Sequence, residues 1–204
     1  MKLLLASHNK NKLVELKYLL GEFNMEIVSS ADFNLSEPVE DGDTFEANAL
    51  IKAKQSAEQT GLLSLSDDSG FAVEAIGGQP GVYSARWAVD GNYSVAFERI
   101  QKLLAEANTP TRAAKFVSVL CLYNPTDKSH KFFRGEVLGE VVFPPRGNNG
   151  FAYDTVFIPL GHNKTFAEMS FEEKNSMSHR NLALAKLKEY FNSEFPFAGE
   201  GVAP

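Results

Sequence analysis

The chain has 204 residues, a length that fits one domain, or two small lobes sharing a core, and that buries enough surface to fold without a disulfide or metal staple. Its 26 acidic and 20 basic side chains leave a net charge of −6, which argues against a broad basic surface for nucleic-acid polymers or anionic membranes. A small polyanion held by a few local cations remains compatible with that total.

The one cysteine, Cys121, allows no internal disulfide, and within the apolar run 116–123 it reads as a buried thiol. No signal-peptide pattern opens the chain, and no apolar run approaches the ~18 residues of a membrane span, so the expected setting is the reduced cytoplasm.

In chain order, Lys2 to Ala6 reads as a buried strand and Ser7 to Lys12 as a polar loop. Leu13, Leu16, Leu19 and Leu20 then mark one helical face, with Gly21 as a stop. Met25 to Ser29 is a second strand. An acidic loop over 31–43 leads to a helix expected to start near Asp43 with Glu46 as capping partner, to bury Phe45, Ala49, Ala53 and Ala57, and to end at Gly61. Short strands are expected at Leu62 to Leu65 and Phe71 to Ile76, with Asp67-Asp68-Ser69-Gly70 at the end of the first.

A third helix fits Ser94 to Ala107. Two long β segments, Ala113 to Tyr123 and Lys131 to Phe143, read as a hairpin, and the apolar character of both faces of the first places it centrally in the sheet. Ser170 with Glu173 forms a capping box. The last helix fits Ser178 to Phe191 with Ala183, Leu184, Leu187 and Phe191 buried, and 192–204 reads as a flexible tail after a single domain over 1–191. The expected fold is α/β, a mixed sheet of long strands with flanking helices.

Several segments carry candidate chemistry. The loop from Ser7 through His8, Asn9, Lys10, Asn11 and Lys12 joins a strand to a helix, where free amides and the positive dipole end favour an anion; a plain polar turn is the alternative. Asp67 and Asp68 offer paired carboxylates that suit Mg²⁺, unless Asp-Ser-Gly is only a surface turn. Within the acidic loop, one carboxylate can share that metal. Gly150-Phe151-Ala152-Tyr153-Asp154 can stack on a base and accept a hydrogen bond from its ring, or simply supply core aromatics. Lys174 can meet a phosphate, and His179 and Arg180 can donate to a base carbonyl. No P-loop, dinucleotide fingerprint or zinc spacing is present.

The order of these motifs is more specific than any one of them. Ser7-x-Asn9-x-x-Lys12, Glu40, Thr44-Phe45-x-x-Asn48-Ala49, Lys52-Ala53, Asp67-Asp68-Ser69-Gly70, the run from Gly77-Gly78 to Arg86, Gly150 to Asp154 and Ser178-His179-Arg180 together resemble the inosine triphosphate pyrophosphatase family over essentially 1–191. The resemblance implies hydrolysis of noncanonical purine nucleoside triphosphates (ITP, dITP, XTP) to the monophosphate and pyrophosphate by a Mg²⁺-dependent homodimer. Its implied fold is a long, curved mixed sheet with an active-site cleft between two lobes.

Carried over by motif, Ser7 to Lys12 cradle the triphosphate, Asp68 is general base and metal ligand, and Glu40 and Asp67 complete the metal locus. Lys52 and Lys174 hold phosphates, Ser69 touches substrate, and Phe151 to Asp154 with His179 and Arg180 enclose the base. Two departures stand out: Ala152 where the family usually has glycine, and Thr155 where it usually has proline. A related pyrophosphatase with another base preference, or a nucleotide-binding module without catalysis, are the competing readings.

Overall fold

The computed structural model describes residues 2–21 and 25–194. Strand β1 (Lys2–Leu5) runs parallel to β2 (Glu26–Ser29) and to the start of β3 (Leu63–Val73). Helix α1 (Lys10–Leu20) makes the crossover between β1 and β2. Beyond β3 the pairing becomes antiparallel, through β5 (Ala113–Tyr123), β6 (His130–Val141) and β7 (Phe157–Pro159), while β4 (Gln79–Pro80) caps the far end of β3. The result is one curled, mixed seven-stranded sheet in the order β2-β1-β3-β5-β6-β7 with β4 off that path, the α/β architecture expected from sequence.

Helices α2 (Phe45–Thr60), α3 (Ser94–Ala107), α4 (Phe171–Met177) and α5 (His179–Glu194) cover it. The expected stripes are where the periodicity puts them: Ala49, Ala53 and Ala57 of α2 and Ala183, Leu184 and Leu187 of α5 are fully buried. β5 is buried on both faces, as a central strand of apolar alternation must be. Cys121 lies on it, fully enclosed, its thiol pushed up to about 12 by burial.

Some boundaries differ from expectation. α1 begins at Lys10, because Asn9 accepts the amides of Asn11 and Lys12 and starts the helix three residues before its apolar stripe. The cap of α2 is Thr44, whose hydroxyl accepts the Ala47 amide, whereas Glu46 turns to Arg134 at 2.7 Å and Asp43 caps nothing. Residues 192–194 continue α5; the rest of the expected tail, 195–204, lies outside the described residues.

The largest difference is at β3. The two short strands expected at 62–65 and 71–76 are one continuous strand, which gives way to a 3₁₀ turn at Glu74–Ile76. Asp67-Asp68-Ser69-Gly70 sits in its middle, register-paired with Leu120, Val119, Ser118 and Val117 of β5. The motif is therefore not a strand end or a surface turn. One end of β3 places Leu65 in a cluster with Leu3, Leu5, Leu16 and Leu184; the other places Phe71 and Val73 in a cluster with Phe116, Tyr153 and Phe157. The polar stretch crosses the gap between two apolar cores, and there the cleft opens.

Candidate active site

The cleft opens to solvent between the two cores and is lined by charged and aromatic side chains. Ser7, His8, Asn9, Lys12, Glu40, Lys52, Asp67, Asp68, Ser69, Phe151, Ala152, Tyr153, Asp154, Lys174, His179 and Arg180 all line it. Lys10 and Asn11, singled out with them, do not; Asn11 borders a separate groove with Val14 and Phe171.

Successive side chains on a strand point to opposite faces, so adjacent aspartates on β3 meet different partners. Asp67 Oδ1 accepts from Ser118 at 2.6 Å, and Oδ2 accepts from Ser69 at 3.0 Å, Lys12 at 3.0 Å and Arg180 at 3.3 Å. Burial alone would raise this carboxyl, but Lys12, Arg180 and the Ser118 hydroxyl outweigh it and hold Asp67 far below the usual carboxylate range. Lys12 in turn is lowered by burial, with Asp67 offsetting only part of that effect.

Asp68 is bonded only through Oδ1, to Lys52 at 2.6 Å; its Oδ2 is buried with no partner. Burial raises its pKa and Lys52 restrains that rise incompletely. Lys52 also reaches Glu40 at 3.1 Å, and the two carboxylates overcome the burial that would otherwise lower the ammonium. No cluster of three or more His, Cys, Asp or Glu side chains gathers to hold a metal among the described residues.

At the α1 end, the Asn9 side chain occupies the amides of Asn11 and Lys12, and the Asn9 amide donates to Ser7 Oγ at 3.2 Å, so these groups are spoken for without an anion. His8 Nε2 donates to the Leu35 carbonyl at 2.8 Å. Ala152–Val156 form a 3₁₀ turn entered from an extended Phe151, with Ala152 at φ 54°, in the left-handed region where glycine is at ease. Thr155 leaves its hydroxyl buried and unpartnered. Tyr153 belongs to the core: its hydroxyl donates to the Ser84 carbonyl at 2.8 Å and its ring stacks on Phe71. Phe151 also faces the cleft, with the cations of Lys174 and Arg180 over its ring at 4.9 and 5.9 Å.

Lys174 is bonded to Asp154 at 2.8 Å and to Glu15 at 3.1 Å. Arg180 spends its guanidinium on Asp67, Ser69 and Glu15. Asp154 binds the Phe151 amide and Lys174 through Oδ2, while Oδ1 makes no hydrogen bond. His179 stacks on Phe116 at 4.8 Å and is kept neutral by burial and by Arg180, its Nδ1 unpartnered. Glu15 is the residue the motif reading passed over. It sits three positions after Lys12, hence on the same face of α1, and that spacing was its available signal.

The fold recurs in solved structures. The chain superposes on a HAM1 protein from Coxiella burnetii with a TM-score of 0.88 at 35% identity, covering 95% of this chain and 99% of that one. The Ham1 protein of Staphylococcus aureus gives 0.85 at 33%, covering 95% and 100%. The Ham1 family model matches residues 3–190. This chain belongs to the Ham1 family. Among its relatives, a dITP/XTP pyrophosphatase of Agrobacterium fabrum is 50% identical over 184 residues, 87% of this chain and 86% of that protein. Another Ham1 relative, a dITP/XTP pyrophosphatase of Brucella melitensis, is 50% identical over 194 residues, 88% of each chain. Among the described residues no helix is long and apolar enough to cross a membrane.

Proposed function

We propose that this Ham1 protein hydrolyses deaminated purine nucleoside triphosphates, ITP, dITP and XTP, to the monophosphate and pyrophosphate. The observation that carries the proposal is Asp68: a buried carboxylate in a cation-lined cleft, one oxygen fixed by Lys52 and the other without a partner. Its relatives named dITP/XTP pyrophosphatase support the choice of substrate.

The orphaned Oδ2 of Asp68, with Glu40 joined to it through Lys52, is a donor set that fits a hard divalent cation retaining most of its waters. In our reading Glu40 and Asp68 hold Mg²⁺, which withdraws charge from the phosphates when bound. Asp67 takes no part in that pair, since both its oxygens are occupied by donors on the other side of β3.

Asp68, its pKa lifted from 3.8 by burial, accepts the proton of the attacking water. The water oxygen bonds to the α-phosphorus as the bond to the bridging oxygen breaks, and pyrophosphate departs with that electron pair. Lys52 orients Asp68 and offsets charge on the phosphates; Lys12, anchored by Asp67, adds a second cation. Lys174, engaged by two carboxylates, shapes the base end instead of holding phosphate.

At that end Asp154 Oδ1 accepts the ring N1–H of hypoxanthine or xanthine, and neutral His179 donates to the 6-oxo group. Adenine reverses both groups, leaving them unpaired at about 1–3 kcal/mol each. Arg180 positions the site through Asp67, Ser69 and Glu15. The catalytic unit in this reading is a single two-lobed domain over 1–191 that works in the cytoplasm as a homodimer, which light scattering tests.

Pyrophosphate release should be measured across ITP, dITP, XTP, ATP, GTP and dUTP, with and without Mg²⁺. The proposal expects kcat/KM for ITP, dITP and XTP to exceed that for ATP by about tenfold or more, with turnover lost on chelation. Equal rates across the purines, or a maximum with dUTP, would overturn it; saturable ITP binding without release would indicate a binding module.

A further inference from the structure

The segment from Gly77-Gly78 to Arg86 belongs to the motif series but has no part in the chemistry above. Pro80 pairs with Ala72 of β3, and the chain then makes two short 3₁₀ turns, Gly81–Tyr83 and Ala85–Trp87. The buried Ser84 ties them to the strand: its hydroxyl accepts the Phe71 amide at 2.8 Å and donates to the Gly81 carbonyl at 2.6 Å. Gly70 permits this approach, since a Cβ there would lie 2.3 Å from the Gly81 carbonyl oxygen and 2.7 Å from Ser84 Oγ. The turns are thus fixed against β3 two residues beyond Asp68.

From this base Arg86 stacks on the Tyr83 ring at 5.2 Å and donates from Nη2 to the backbone carbonyl of Glu40. Glu40 lies in the stretch 35–42, which has no regular secondary structure and so no ladder to hold its backbone. On the far side of Glu40, the Gly42 amide donates to Asn48 Oδ1 at 2.9 Å. The Glu40 carboxylate itself faces Lys52, which also holds Asp68.

We propose that Arg86 is the positioning residue for Glu40: it clamps the irregular acidic loop to the turns on β3 so that Glu40 and Asp68 face a shared divalent cation. The inference rests on the assignment of those two carboxylates above. An arginine suits the task because its planar guanidinium can stack on Tyr83 while donating in plane to a carbonyl, which an ammonium does less well.

The test compares Arg86→Ala, Arg86→Lys, Glu40→Gln and the Arg86→Ala/Glu40→Gln pair. Two quantities are read: the half-saturating Mg²⁺ concentration in pyrophosphate release from dITP, and backbone amide hydrogen exchange over residues 39–43 in the substrate-free protein. Loss of one such hydrogen bond should raise half-saturating Mg²⁺ about fivefold in Arg86→Ala, with kcat at saturating Mg²⁺ within about twofold of wild type. Arg86→Lys should recover part of the loss, and Arg86→Ala should add nothing to Glu40→Gln. Exchange at 39–43 should accelerate about fivefold while β3 amides keep their protection. Unchanged exchange at 39–43, or Mg²⁺ effects that multiply in the pair, would overturn the proposal. Should the wild type release no pyrophosphate, the functional reading falls, and the exchange comparison alone decides whether Arg86 clamps the loop.

Discussion

Asp67 and Asp68 are chain neighbours on one buried strand, and the fold treats them in opposite ways. Asp67 has two cations and two hydroxyls and is held far below the usual carboxylate range; Asp68 has one cation, one idle oxygen and a raised pKa. Burial is the first influence on both, so the number of donors that face each side of β3 decides the difference. Full satisfaction makes an anion structural and inert, whereas an incomplete set leaves an oxygen for a proton or a cation.

The largest stability effect should come from the satisfied side. Asp67→Asn leaves Lys12 and Arg180 buried without their shared counter-charge and should cost about 3 kcal/mol in urea unfolding at neutral pH. A loss no larger than that of Ser69→Ala would break the contrast. The acid limb sharpens it. With its folded pKa depressed below 3.8, Asp67 contributes stability that is complete above that value and falls away as pH drops towards the depressed one. Unfolding free energy should therefore fall less steeply below about pH 4 in Asp67→Asn than in wild type. Asp68 has the opposite sign, since its raised folded pKa makes ionisation cost stability as pH rises past 3.8. The smallest effect concerns the loop opposite β3. Ala152→Gly should gain about 0.5 kcal/mol of stability by relieving the left-handed backbone, less than the full strain because glycine has more freedom to lose on folding. A measured loss would show that the methyl packs usefully.

Regular elements were legible in the sequence because each announces itself locally: alanines four apart on α2, leucines on α1 and α5, apolar residues on both faces of β5. The middle of β3 was not. Asp-Asp-Ser-Gly looks like a turn until Lys52, 16 residues away, and Arg180, 113 residues away, are seen to neutralise it. Motif order identified most of the cleft lining, but Arg180 and Lys174 could not be known to be already committed, because Glu15, which binds both, sits 165 and 159 residues from them. Asn9 shows a second role that composition alone left open: its side chain caps α1 while the residue lines the cleft.

The most direct test is Asp68→Asn, assayed at neutral pH for pyrophosphate release from dITP and for urea unfolding. The account predicts a fall in kcat of about 10²–10⁴-fold, the range of a lost general base, with unfolding free energy within about 1 kcal/mol of wild type. Near-wild-type turnover by a folded Asp68→Asn protein would contradict it.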